Sequence, residues 1–142
     1  MEGSDKKILI ITDGSATIRQ MAEDIAVIIG NNSDYPVTVV QAEHFAGTDL
    51  LASDAFFLGC EAPKPASFSY LEALFAHVNL AGRPCGIFSS NNKAIKYLSA
   101  LVRDSDAVTA KPLLAKTGTV NGGDLQKWIK GVLGGYNERA KP

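Results

Sequence analysis

Lys7-Ile8-Leu9-Ile10-Ile11-Thr12-Asp13-Gly14-Ser15-Ala16-Thr17-Ile18-Arg19-Gln20-Met21-Ala22 holds the fold in miniature. Four consecutive apolar residues, Ile8 to Ile11, are the pattern of a strand covered on both faces. A turn rich in hydroxyls follows, and then Ile18, Met21, Ala22, Ile25, Ile28 and Ile29 recur at the spacing of an amphipathic helix. That helix is expected to stop at Gly30-Asn31-Asn32, where glycine suits a C-cap. A strand buried on both faces needs helices above and below it, so this start predicts a parallel sheet.

The alternation continues outward from that stretch. Val37 to Val40, Asp54 to Gly59 and Pro84 to Ser89 read as the second, third and fourth strands. Asp106 to Leu114 contains a fifth, interrupted or ended near Pro112. Leu71, Leu74, Phe75 and Val78 form one helical stripe, with Ser69 and Glu72 spaced for a capping box. Ile95, Leu98, Leu101 and Val102 form another. Leu125, Trp128, Ile129, Val132 and Leu133 form the last, closed by Gly134-Gly135 and followed by a frayed tail, Asn137 to Pro142. Residues 41–53 carry no full helix pattern, although Thr48 to Leu51 can supply one short turn. Right-handed crossovers turn this into a three-layer α/β domain around a five-stranded parallel sheet of order 2-1-3-4-5.

Length and charge fit that single domain. The 142 residues suffice to bury a core without staples, and 46% hydrophobic with 20% charged residues is the balance of a globular protein. Fourteen basic against fifteen acidic residues leave a net charge of −1. That excludes a broad basic surface for nucleic acid and a strongly acidic one for steering basic partners. The start does not read as a signal peptide, and no apolar run approaches the roughly 18 residues of a membrane span. The expectation is a cytoplasmic protein that binds neither nucleic acid nor membrane. Cys60 and Cys85 are expected about 16 Å apart along neighbouring strands, beyond disulfide reach. His44 and His77 lie in separate segments with no third ligand beside them.

In an open parallel sheet, ligands bind beyond the carboxyl ends of the strands where the strand order reverses. The segments at that edge are Thr12-Asp13-Gly14-Ser15-Ala16-Thr17-Ile18, Gly59-Cys60-Glu61-Ala62-Pro63-Lys64-Pro65, Ser89-Ser90-Asn91-Asn92-Lys93, and Lys111-Pro112. The first opens a helix, so its amides and the helix dipole suit an anion, with Ser15 and Thr17 as hydroxyl donors. The competing reading is that Asp13, Ser15 or Thr17 caps the helix. Cys60 is either a thiol activated at that edge or a small packing residue. Lys64, Lys93 and Lys111 are candidate cations for the same edge, or solvated surface lysines. Trp128 lies on a helix stripe and is expected in the core.

At these residues the chain resembles the flavodoxins, which are small FMN-binding electron carriers. Thr48 to Gly59, Leu80 to Ser89 and Asp124 to Ile129 look like the family's third strand, fourth strand and closing helix. The resemblance implies a flavodoxin-like fold, with FMN phosphate at Asp13, Gly14, Ser15, Ala16, Thr17 and Ile18. It implies the flavin ring between Gly59, Cys60, Glu61, Ala62 and Ser89, Ser90, Asn91, Asn92. Electron transfer to a redox or signalling protein partner would follow. Three departures set expectations. Ala16 and Ile18 stand where the family has glycine and threonine, and residues 60–67 and 89–93 contain no aromatic to stack on a ring. Pro63 and Pro65 also stiffen a loop that is glycine-containing in flavodoxins, so a flavin is expected to be held atypically.

A second resemblance is to two-component receiver domains, through Asp13 to Met21 and Lys111-Pro112. Gly14 and Gly59 stand where receivers carry a second acid and the phosphoacceptor aspartate, so phosphorylation by that route is not expected. The alternative function is therefore a flavin-free interaction module that works without phosphorylation.

Overall fold

The computed structural model describes residues 7–140, with side chains through Leu133. Lys141 and Pro142, the end of the expected frayed tail, lie outside the described residues. Strand β1 (Ile8–Thr12) is wholly buried because it runs between β2 (Val37–Gln41) and β3 (Ala55–Gly59). Its register sets Ile8 beside Val37 and Ala55, and Thr12 beside Gln41 and Gly59. Strand β4 (Pro84–Ser89) lies beyond β3, and every pairing in the sheet is parallel. The order is 2-1-3-4-5, as the alternation predicts.

The fifth strand is split. Strands β5 (Val108–Thr109) and β6 (Leu113–Leu114) both pair with β4, at Pro84–Cys85 and at Phe88–Ser89. Three residues, Ala110, Lys111 and Pro112, thus span the same stretch as Gly86 and Ile87. This one-residue bulge sits on an edge strand, where a proline without an N–H is tolerated. Trp128 holds the bulge, its Nε1 donating to the Lys111 carbonyl at 2.7 Å. Lys111-Pro112 therefore lies inside the edge strand, not at its carboxyl end as the sequence suggested.

Alternating side chains send each strand residue to one of two cores. Ile8, Ile10 and Phe57 pack with α1 (Ala16–Asn32) and α5 (Gly122–Ala140). Leu9, Ile11, Phe56 and Leu58 pack with α2 (Gly47–Ala52), α3 (Ser69–Phe75) and α4 (Asn92–Arg103). Trp128 meets Phe57 and Phe88 edge-on, with centroids 5.5 and 6.4 Å apart.

Three helix-end expectations are corrected. Helix α1 continues through Gly30 to an extended Ser33, so Gly30 is not its C-cap. Ser69 already belongs to α3 and donates to the Ala66 carbonyl at 2.9 Å, because a 3-10 turn (Ala66–Phe68) feeds straight into the helix. Glu72 is drawn away to Tyr97, so no capping box forms. The helical backbone of α5 runs past Gly134-Gly135 to Ala140. Glycine inside a helix costs only about 1 kcal/mol, and it ends one chiefly by turning left-handed.

Candidate functional site

The crossover from β1 leaves to one side of the sheet and later crossovers build the other side, so the carboxyl ends of β1 and β3 flank the switch point. After Thr12 the chain must leave the sheet and enter α1 within three residues. Gly14 makes this possible with a φ of +84°, which favours glycine, and its N–H donates to Thr12 Oγ1 at 3.2 Å. Asp13 then turns its carboxylate back over the loop. Its Oδ1 accepts the Ser15 N–H at 3.0 Å and the Ser15 hydroxyl at 2.7 Å. Its Oδ2 accepts the Glu61 N–H at 2.9 Å, across the crevice to the loop that follows β3.

Ser15 is the N-cap of α1, but its hydroxyl is committed to Asp13 and caps nothing in the helix. No acidic residue occupies the first turn. Among the described residues, the amides of Ala16, Thr17 and Ile18 have no protein acceptor, and the first intrahelical bond runs from Arg19 to the Ser15 carbonyl. The positive end of a 17-residue helix thus opens at the switch point. Neither reading of the sequence captured this arrangement, in which Asp13 and Ser15 bond each other while the helix amides stay open.

The other expected site residues divide by burial. Asp13, Gly14, Ser15 and Thr17 are half-buried, and Ala16, Glu61, Ala62 and Asn92 are exposed, as are Pro63 and Lys64. Ser90 and Asn91 are half-buried at the start of α4, where Asn91 Oδ1 accepts the Lys93 N–H. Ile18 is different, because its side chain is fully buried among the α1 core residues and only its amide faces the edge. Gly59 serves packing, since a Cβ there would lie 2.3 Å from the Phe88 ring. Ser89 is fully buried and its hydroxyl donates to the Cys60 carbonyl at 2.6 Å, tying the roots of the two ring loops together.

Cys60 is itself fully buried. Burial, and secondarily the Asp13 charge, pushes its thiol up to about 12, which removes the thiolate needed for reactivity. Cys85 sits beside Phe56 in the register, four residues short of Cys60's level, and both cysteines are free. Of the candidate lysines, Lys64 adopts a left-handed φ of 53° and approaches Glu72 at 3.9 Å, while Lys93 is exposed at the first turn of α4. Tyr97 donates to Glu72 at 2.6 Å, and burial followed by this bond raises its phenol.

One segment at this edge escaped the sequence reading. Because β6 resumes after the bulge, the true carboxyl end of the edge strand is followed by Thr117-Gly118-Thr119. Gly118 has a φ of +81° and lies against Thr17, whose Cγ2 would be 2.7 Å from a Cβ at that position. Thr117 and Thr119 are exposed beside the start of α1, with their hydroxyls 3.1 Å apart. A glycine between two threonines was the available signal. The sequence leaves open whether the strand is interrupted or ends near Pro112, and only its resumption as β6 brings this segment to the edge.

Solved structures with the same fold include flavodoxins. A short-chain flavodoxin associated with a non-canonical PDU bacterial microcompartment superposes with a TM-score of 0.78 at 11% identity, covering 93% of this chain and 99% of that one. The fold is flavodoxin-like. The flavodoxin of Streptococcus pneumoniae TIGR4 is similar at a TM-score of 0.75 and 12% identity, over 91% of this chain and 98% of its own. A general stress protein 14 of Treponema denticola, solved in complex with FMN, reaches 0.53 at 10% identity over 94% and 98%. No protein-family model and no curated protein sequence matches the chain. No helix among the described residues is long and apolar enough to cross a membrane.

Proposed function

We propose that this flavodoxin-like protein binds FMN at the carboxyl edge of its sheet and passes electrons to a protein partner. The observation that carries the reading is the uncapped first turn of α1. Three amides without acceptors, at a helix N-terminus on the switch point, are the donor set that a phosphate monoester takes. Thr17, with Thr117 and Thr119 beside it, adds hydroxyls of the right chemistry. The residues present therefore fit the phosphate end of FMN.

At the ring end the chain offers the exposed backbone of Glu61 to Lys64 and the half-buried Ser90 and Asn91. No aromatic stands in either loop, and the nearest ones are engaged elsewhere. Phe68 is fully buried, Tyr97 is bonded to Glu72, and the Tyr70 hydroxyl accepts the Gly47 N–H. A bound flavin supplies one- and two-electron chemistry. The chain's part is to hold the phosphate and leave the ring open to a partner.

The test is a titration of FMN with the purified protein, read by flavin fluorescence anisotropy and equilibrium dialysis. Quenching is the wrong readout because nothing stacks on the ring. Saturable binding at one site per chain supports the reading. The absence of binding by folded protein overturns it and leaves the flavin-free interaction module, which the Asp13 bridge across the crevice favours.

A further inference from the structure

Asp13 places a carboxylate beside the open N-terminus of α1, at the switch point. Both of its oxygens are used, Oδ1 by the amide and hydroxyl of Ser15 and Oδ2 by the amide of Glu61. Glu61 lies 48 residues from Asp13 in sequence, and the carboxylate joins the two loops across the β1–β3 crevice. Within the described residues no lysine or arginine forms an ion pair with it, so its charge is balanced only by N–H and O–H dipoles. The next donors along the chain are the open amides of α1. An anion that reaches them approaches a like charge, and it finds two neighbouring amides and the Ser15 hydroxyl already occupied.

We infer that Asp13 is the specificity-determining residue of this edge: its carboxylate acts as a built-in anion that holds down affinity for the phosphorylated flavin relative to the unphosphorylated one. The inference rests on the flavin reading above. FMN near neutral pH carries a phosphate of nearly two charges, whereas riboflavin carries none. Repulsion from Asp13 therefore acts on FMN alone, while contacts to the ring serve both ligands. Removing the carboxylate charge widens the preference for FMN over riboflavin by a factor on the order of ten.

The experiment compares the natural chain with Asp13→Asn, titrating FMN and riboflavin separately by anisotropy at low and at high salt. Asparagine keeps an oxygen for Ser15 and loses the charge. The expected result is riboflavin affinity unchanged, FMN tightened about tenfold in the variant, and that gain shrinking as salt rises. A purely structural role for Asp13 would shift both flavins together and would be insensitive to salt. FMN bound equally by the two proteins overturns the inference and leaves the flavin reading standing. Neither flavin bound by either protein overturns the flavin reading and the inference with it. Asp13→Ser, which also removes the charge, repeats the comparison should the asparagine variant fail to fold.

Discussion

Replacing Ala16 by proline separates the two tasks of the first turn of α1. Ala16 is the first helical residue, it is exposed, and its amide has no protein acceptor. Proline is favoured at this position because its fixed φ suits the helix and the N–H it lacks is not needed there. The residue before a proline must be extended, and Ser15 already has φ −66° and ψ 149°. The substitution should therefore stabilise the fold by about 0.4–1 kcal/mol through the unfolded chain, raising Tm by roughly 1–4 °C. It also deletes one of three amides available to an anion. A hydrogen bond to a charged group contributes about 1.5–3 kcal/mol, so FMN binding should weaken roughly ten- to a hundredfold. Calorimetry or thermal circular dichroism measures the first effect, and flavin anisotropy the second. Stability and affinity are expected to move in opposite directions, which general damage to the protein cannot mimic. An Ala16→Pro protein that binds FMN as tightly as the natural chain would refute the placement of the phosphate. One that loses stability would refute the description of the helix start.

Arg83 Nη1 donates to the carbonyls of Leu50, Leu51 and Ser53 at 3.1, 2.9 and 3.0 Å, satisfying the end of α2. Arg83→Met should lower unfolding stability in urea by about 1.5–3 kcal/mol, with an unchanged m-value. Gly59→Ala forces a methyl against the Phe88 ring, and should cost about 1–3 kcal/mol in the same assay. Both buried thiols are raised, Cys60 to about 12. The native chain holds these protons while the unfolded chain releases them near the ordinary value of 9.0. Stability should thus be full below about pH 9 and fall as pH climbs towards 12, a slope that Cys60→Ser with Cys85→Ala reduces. At pH 8 neither thiol should react with a disulfide reagent until denaturant is added.

The strands and helices were legible in the sequence because each is specified by its own near neighbours. Ile8 to Ile11 are all apolar because the strand they form is covered twice, and Ile18 to Ile29 repeat because one helix face is covered once. Helix ends were less legible, since Ser69 and Gly30 carry cap-like identities that the adjoining backbone overrides. The switch-point edge was legible as a place, through strand order. Its chemistry was not. That Asp13 bonds Glu61, that Gly59 clears the Phe88 ring, and that β6 resumes beyond Pro112 to set Gly118 against Thr17 are all contacts between distant segments. Local periodicity reports which face of an element is dry. It carries no record of which atom arrives opposite once the sheet has closed, and at this edge that partner decides whether an amide or a carboxylate meets the ligand.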